Sequence, residues 1–263
     1  MDTGIFIGLV IVLLIFLRSY ARAKGSWLYY YERQLRNKPL TSEQLSILKT
    51  YFKFYNLLPP KSKEIFAKKV AWFIQIKKFI PRRLPEVTQE MKVLISAAAV
   101  QLTFGLRNVH LKHFRYIIVY PDAYYSNITK KYHKGEVNPR HQAIVLSWKA
   151  FLEGYIGNEG VNLGLHEMAH ALHLENMIRN QEYSFFSPGE MEAWDKLATA
   201  EIERIKKKDS HFFRLYGSTD SYEFFAVAVE NFFERPALFV REHPRLYHAL
   251  SGLLHQNPLL LQS

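Results

Sequence analysis

Apolar residues recur along this chain with the period of a helix far more often than with the two-residue alternation of a strand. Thr41 and Gln44 form a capping-box pair, and Leu45, Leu48, Phe52, Tyr55 and Leu58 follow at helical spacing until Pro59-Pro60 stops them. A second amphipathic helix is expected over residues 62–79, with Ile65, Phe66, Val70, Phe73 and the 76–80 run on its apolar side, before Pro81 and Pro85 break the chain. Thr88 caps a third helix through Met91, Leu94, Ile95, Ala98, Val100 and Leu102, which Gly105 ends. Two runs read as strands, 114–120 and 142–148, with a polar, turn-rich surface stretch between them that has room for one more short strand. Three helices follow: one centred on His166, a charged one over 190–208, and an apolar one capped by Asp220 or Thr219. The expected fold class is an α-rich α+β domain with a small sheet beside the His166 helix. The edge strand of that sheet is suited to hold a peptide in extended form.

The beginning of the chain departs from this pattern. Residues 3–17 (TGIFIGLVIVLLIFL) carry no charge. As a helix they measure about 22 Å, against a hydrocarbon core of about 30 Å. With Arg18 snorkelling and Tyr20 at the interface, this suffices for an N-terminal transmembrane helix. A cleaved signal peptide would carry Lys or Arg before the apolar run. Here Asp2 precedes it and the cations follow. Between Arg18 and Arg83 there are sixteen lysines and arginines against three glutamates, so the net charge of +11 is concentrated directly after the apolar run. This predicts a single-pass protein of the cell (inner) membrane, with its main domain cytoplasmic and a basic collar drawn to anionic headgroups. No recognised nucleic-acid module accompanies the charge, so no nucleic-acid partner is expected. The expected division is a membrane anchor over 1–24, a basic helical segment next to the membrane over 25–83, and a catalytic domain over 84–263.

The candidate chemistry lies in His166-Glu167-Met168-Ala169-His170, an H-E-x-x-H pattern within an apolar helix. Residues four apart share a helix face, so His166 and His170 can close on one Zn²⁺. Glu167 flanks the same site and is free to act as a general base. Buried imidazoles and a carboxylate are costly without a partner, and a metal supplies one. The chain has no cysteine, so a metal site is restricted to His, Asp, Glu and water, and no disulfide framework exists. His110, His113, His133 and His141 lack ligand spacing and read as surface histidines. Downstream, the apolar helix after Asp220 carries two acids before Phe233, Glu223 and Glu230, seven apart on one face. Either of them would complete a His₂Glu site with an open fourth position, the catalytic arrangement.

These segments together resemble the Mlc titration factor A family of zinc peptidases, from about residue 45 to 258. The resemblance is carried by Asn162, the His166-Glu167-x-Ala169-His170 core, Tyr216, Asp220, Glu223-Phe224-Phe225-Ala226-Val227, Glu230 and Phe232-Phe233. The Val119-Tyr120-Pro121 and Val145-Leu146-Ser147-Trp148 runs and the helix from His243-Pro244 extend it. The family implies a zincin-like domain of the gluzincin type, similar to the catalytic domain of anthrax lethal factor. By position it makes His166, His170 and Glu223 the zinc ligands and Glu167 the base. Tyr216 would donate to the oxyanion, while Glu230, with Asn162, would support the ligands from behind. His173 is a departure, since family members commonly have Asp there; three residues after His170, it reads as a further support of the ligands or a core histidine rather than a ligand. The implied activity is zinc-dependent hydrolysis of peptide or protein substrates, whether aminopeptidase-like or endopeptidase. The family's soluble members also bind a sugar-responsive transcription repressor, which makes a membrane-tethered regulatory binding protein with a structural zinc the alternative reading.

Overall fold

The computed structural model describes residues 38–126, 130–157, 160–178 and 185–261. The chain divides after Pro39, and the second unit is Leu40–Ser263. The apolar run expected to cross the membrane lies outside the described residues. Among the described residues no helix is long and apolar enough to cross one.

The second unit begins with α1 (Ser42–Tyr51), whose N-terminus is closed by the reciprocal Thr41–Gln44 capping box. The helix expected to run on to Leu58 is interrupted at Phe52. Its extended backbone (φ −102°, ψ 94°) separates α1 from the short α2 (Lys53–Leu57). The break drives the Phe52 ring into the core, stacked on Tyr155 at 5.5 Å and tilted on Phe66 at 5.9 Å. α3 (Pro60–Ile76) starts on Pro60, whose missing N–H costs nothing in a first turn.

The periodicity of α3 suggests a helix to residue 79, but it ends three residues earlier. Lys77 is buried, donates from Nζ to the carbonyls of Leu111 and Phe114, and lies 4.9 Å from the Phe73 ring. Its backbone turns outward, and β1 (Lys78–Pro81) pairs in parallel with β2 (Tyr116–Tyr120). Pro81 is tolerated because β1 is an edge strand.

The connection between β1 and β2 is α4 (Gln89–Thr103), capped by Thr88 as expected and buried along most of its length. The polar stretch after β2 holds three short strands where one was expected: β3 (Tyr124–Ser126), β4 (Lys131–His133) and β5 (Gly135–Asn138). β3 and β4 pair with each other in a two-stranded sheet. β5 pairs antiparallel with β6 (Ala143–Ser147), which is parallel to β2, so the main sheet runs β1-β2-β6-β5. Every residue of β6 is buried, as befits a strand covered on both faces.

The remaining elements are α5 (Trp148–Ile156), α6 (Leu163–Ile178), α7 (Pro188–Lys206), α8 (Ser221–Glu234), α9 (Pro236–Glu242) and α10 (Pro244–Leu254), with 3₁₀ turns at Leu215–Ser218 and Pro258–Leu261. α6 is the centre of the unit, packed against α4, α8 and strands β5 and β6. The architecture is thus α-rich with small sheets.

Residues 40–83, part of the 25–83 segment expected next to the membrane, contribute Leu48, Phe52, Phe66, Val70 and Phe73 to the same core as α4 and α8. Phe66 is fully buried among Phe52, Phe54, Tyr55 and Phe104. Phe66→Ala should therefore cost about 3–5 kcal/mol. Denaturant unfolding followed by fluorescence should show one transition moved to lower midpoint, whereas a separable segment would melt alone and leave the main transition in place.

Candidate metal centre

α6 begins where Asn162 caps it, accepting the Leu165 N–H on Oδ1 at 3.0 Å. That start sets the helix phase, so that His166, Glu167 and His170 emerge toward β5 and α8. α8 begins at Asp220, whose Oδ1 accepts the N–H groups of Tyr222 and Glu223, each at 2.9 Å. Glu223 thus stands in the first turn of α8, and Glu230 two turns further along the same face.

The two helices bring three donor atoms together. His166 Nε2 and His170 Nε2 are 3.1 Å apart, and Glu223 Oε2 lies 3.2 Å from the first and 3.5 Å from the second. Ligand atoms about 2.0–2.1 Å from a tetrahedral ion stand about 3.3–3.4 Å from one another. Glu223 Oε2 is buried and makes no directed hydrogen bond, which leaves a carboxylate oxygen free for a cation. Among the described residues this is the group of His and carboxylate side chains that could hold a metal ion, and its donor set fits a divalent one. Of the two acids left open by spacing alone, Glu223 is the one that meets both imidazoles.

Glu230 stands on the other side of His166. It is fully buried, and its Oε1 lies 2.7 Å from His166 Nδ1. Its Oε2 accepts the Asn162 backbone N–H at 2.6 Å. The Asn162 side chain also donates to Glu234 Oε1 at 2.9 Å, so Asn162 both caps α6 and ties it to α8. Arg214 completes the environment, donating from Nη2 to Oε1 at 2.6 Å and from Nη1 to Oε2 at 3.0 Å.

Burial opposes charge on His166, but Glu223 and Glu230 on either side outweigh it and push the imidazole up to about 10. Burial also works against ionised Glu223, yet the two imidazoles hold its carboxyl far below the usual range. Glu167, 5% exposed, is pushed up to about 7 by burial, against the pull of the two histidines. Tyr216 sits on the 3₁₀ turn before α8, its ring 6.1 Å from that of His166 and half exposed. Burial of its hydroxyl and the nearby Glu223 carboxylate push it up to about 12, so it stays a protonated donor at neutral pH.

His173 is placed apart from this group. It lies between the rings of Tyr222 (4.8 Å) and Phe225 (5.2 Å), with Nδ1 buried and unpartnered. Burial and the neighbouring His170 bring it down to about 4, a neutral ring in an apolar slot.

Three residues at the site escaped the sequence. Arg214 is sixteen positions from Glu230, and no periodicity connects a loop arginine to a helix acid. His133, read as a surface histidine, is half-buried on β4 and lines recesses of about 400 Å³ on both sides of Glu167. Gly135 opens β5 directly over Glu167. A Cβ there would stand 2.6 Å from Glu167 Cγ and closer still to its carboxylate. A lone glycine in a strand signals such an approach, but β5 itself was not foreseen. Gly135→Ala should force the buried Glu167 side chain aside at a cost of about 1–3 kcal/mol. Chemical denaturation reads the loss, and a variant as stable as wild type would mean that the carboxylate relaxes freely.

A model of the glucose-regulated metallo-peptidase M90 family matches residues 27–255. The uncharacterized protein slr2042 of Synechocystis sp. is 27% identical over 270 residues, covering 96% of this chain and 98% of its own. Mlc titration factor A of Cronobacter sakazakii is 26% identical over 72% of this chain and 77% of its own length. The same factor from Escherichia fergusonii is 32% identical over 44% of this chain and 46% of its own. With a family model spanning most of its length and these relatives, the chain belongs to the Mlc titration factor A family of glucose-regulated metallo-peptidases.

Proposed function

We propose that this protein is a zinc-dependent peptidase in which His166, His170 and Glu223 hold the ion and Glu167 is the general base. The observation that carries the reading is the convergence of three donor atoms within 3.1–3.5 Å beside a buried carboxylate. When bound, zinc supplies Lewis-acid polarisation of the scissile carbonyl and lowers the pKa of a coordinated water. Glu167, pushed up to about 7, is poised to accept a proton from the attacking water and return it to the leaving amine. Tyr216 donates its hydroxyl hydrogen bond to the developing oxyanion. The outer edge of β5, beside Glu167, offers backbone groups to an extended peptide. No side chain in the group is a nucleophile suited to a covalent route.

The apolar run at 3–17 and the cations that follow it support a single-pass tether at the cytoplasmic face of the cell membrane, with the basic collar against anionic lipid. A second reading is favoured by the relatives' name, which speaks of titrating Mlc. In it the domain sequesters a regulatory protein at the membrane and the zinc is structural.

The purified full chain beside Glu167→Gln, with zinc content recorded for both, separates these readings. Both should hold about one zinc, and the variant should lose at least about a hundredfold in peptide hydrolysis. Zinc in both with cleavage by neither, across a broad peptide library, would move the assignment to the regulatory reading. The protonation of His166 adds a second expectation. Held up to about 10, it carries a proton at neutral pH that an incoming ion must displace. Zinc uptake should therefore release about one proton, and apparent affinity should tighten about tenfold per pH unit between about pH 6 and 8. Titration calorimetry in buffers of different ionisation enthalpy reads the proton count, and a pH-independent affinity would contradict the assignment of His166.

A further inference from the structure

Among the described residues Arg214 is the lysine or arginine that pairs with Glu230, and its contacts extend beyond that pairing. Both guanidinium Nη atoms engage the carboxylate in a two-pronged fork, at 2.6 and 3.0 Å. Nη1 also donates to the Gly160 carbonyl at 3.3 Å, in the loop that leads into α6. The guanidinium lies 5.8 Å from the Tyr216 ring centroid, and the Arg214 carbonyl accepts the Gly217 N–H at 3.0 Å, closing the turn on which Tyr216 is carried. One side chain thus joins the turn bearing Tyr216, the entry to α6 and the acid that holds His166 Nδ1. Three-tenths of it is exposed, and it lines the recess on one side of Glu167.

We propose that Arg214 is a positioning residue for this centre. By neutralising the buried Glu230 and fixing both its oxygens, it keeps that carboxylate directed at His166 Nδ1, so that Nε2 faces Glu223 and His170. By the same anchorage it holds the Tyr216 turn against the site. The inference rests on the reading of His166, His170 and Glu223 as metal ligands, and it adds a residue that the H-E-x-x-H helix and α8 do not contain. A guanidinium is required because only a planar fork fits two carboxylate oxygens at once; a lysine ammonium supplies the charge at a single point. Partners behind a metal-binding histidine typically contribute tenfold to a hundredfold in metal affinity or activity.

The test compares wild type, Arg214→Ala and Arg214→Lys as full chains, in melting temperature, zinc affinity by chelator competition, and peptide turnover. Arg214→Ala should weaken zinc binding about tenfold to a hundredfold and lower kcat more than it alters KM. Added guanidinium ion should restore part of both losses, which a general packing defect would not allow. Arg214→Lys should melt close to wild type yet retain the zinc deficit. The proposal is overturned if zinc affinity and kcat in both variants stay within about twofold of wild type. It is equally overturned if Arg214→Lys matches wild type in affinity, since charge alone would then suffice. If Arg214→Ala fails to fold, Arg214→Lys decides by the same criterion. A wild type that takes up no divalent ion overturns the metal-centre reading and this inference together, whereas zinc-loaded wild type with undiminished variants overturns the Arg214 role alone.

Discussion

A single buried carboxylate, that of Glu230, sets the terms for the rest of the site. An ionised group with no exposure is tolerated only when its lone pairs are satisfied and its charge is met. Both conditions hold, through a ring nitrogen and a backbone N–H at the start of α6 and a guanidinium from the turn before α8. The apolar character of α8 on either side of it, from Phe224 to Val229 and again at Phe232 and Phe233, keeps water away. The more completely water is excluded, the more strictly each partner's position is fixed, because a misplaced one leaves an unsatisfied group in a low dielectric. Precision at His166 thus follows from burial of an acid on the side of the ring away from Glu223 and His170.

The parts of this arrangement that the sequence displayed are the local ones. H-E-x-x-H in an apolar helix and two acids seven apart are periodic features of single elements, and the fold brings His166, His170, Glu223 and Glu230 within reach of one another. The caps Thr41, Thr88 and Asp220 were legible because a cap is chemistry between residues two or three apart. What stayed hidden required contact across the fold. β1 was hidden inside an apolar continuation of α3, and only the pairing with β2 and the burial of Lys77 explain why the helix stops. β3, β4 and β5 are three or four residues each, too short for alternation to register, and so Gly135 goes unmarked and His133 reads as a surface residue. The net positive charge of residues 40–83 obscured an apolar face that belongs to the core.

His173 shows how a helical pattern can mislead about chemistry. It lies three residues beyond His170, which places it near the ligand face, yet it packs between Tyr222 and Phe225 as a neutral ring. Distance along a helix says which residues can be neighbours. The rings that α8 presents decide what each neighbour does.

The grip of α8 on both nitrogens of one imidazole bears on how this protein is made. Glu223 and Glu230, two turns apart on one face of α8, flank His166 at Nε2 and Nδ1. The ring's raised pKa stabilises the fold fully below its unfolded value of about 6.5, and this contribution fades only as pH climbs through about 10. The Asn162–Glu234 hydrogen bond, the His166–Glu230 contact and the packing of His173 on the Phe225 ring also join α6 to α8, so that interface does not depend on an ion to close. This is the reverse of a small zinc-nucleated module, whose chain cannot fold without its ion. Shape in this fold thus rests on contacts that owe nothing to an ion, which makes folding and metal uptake separable events.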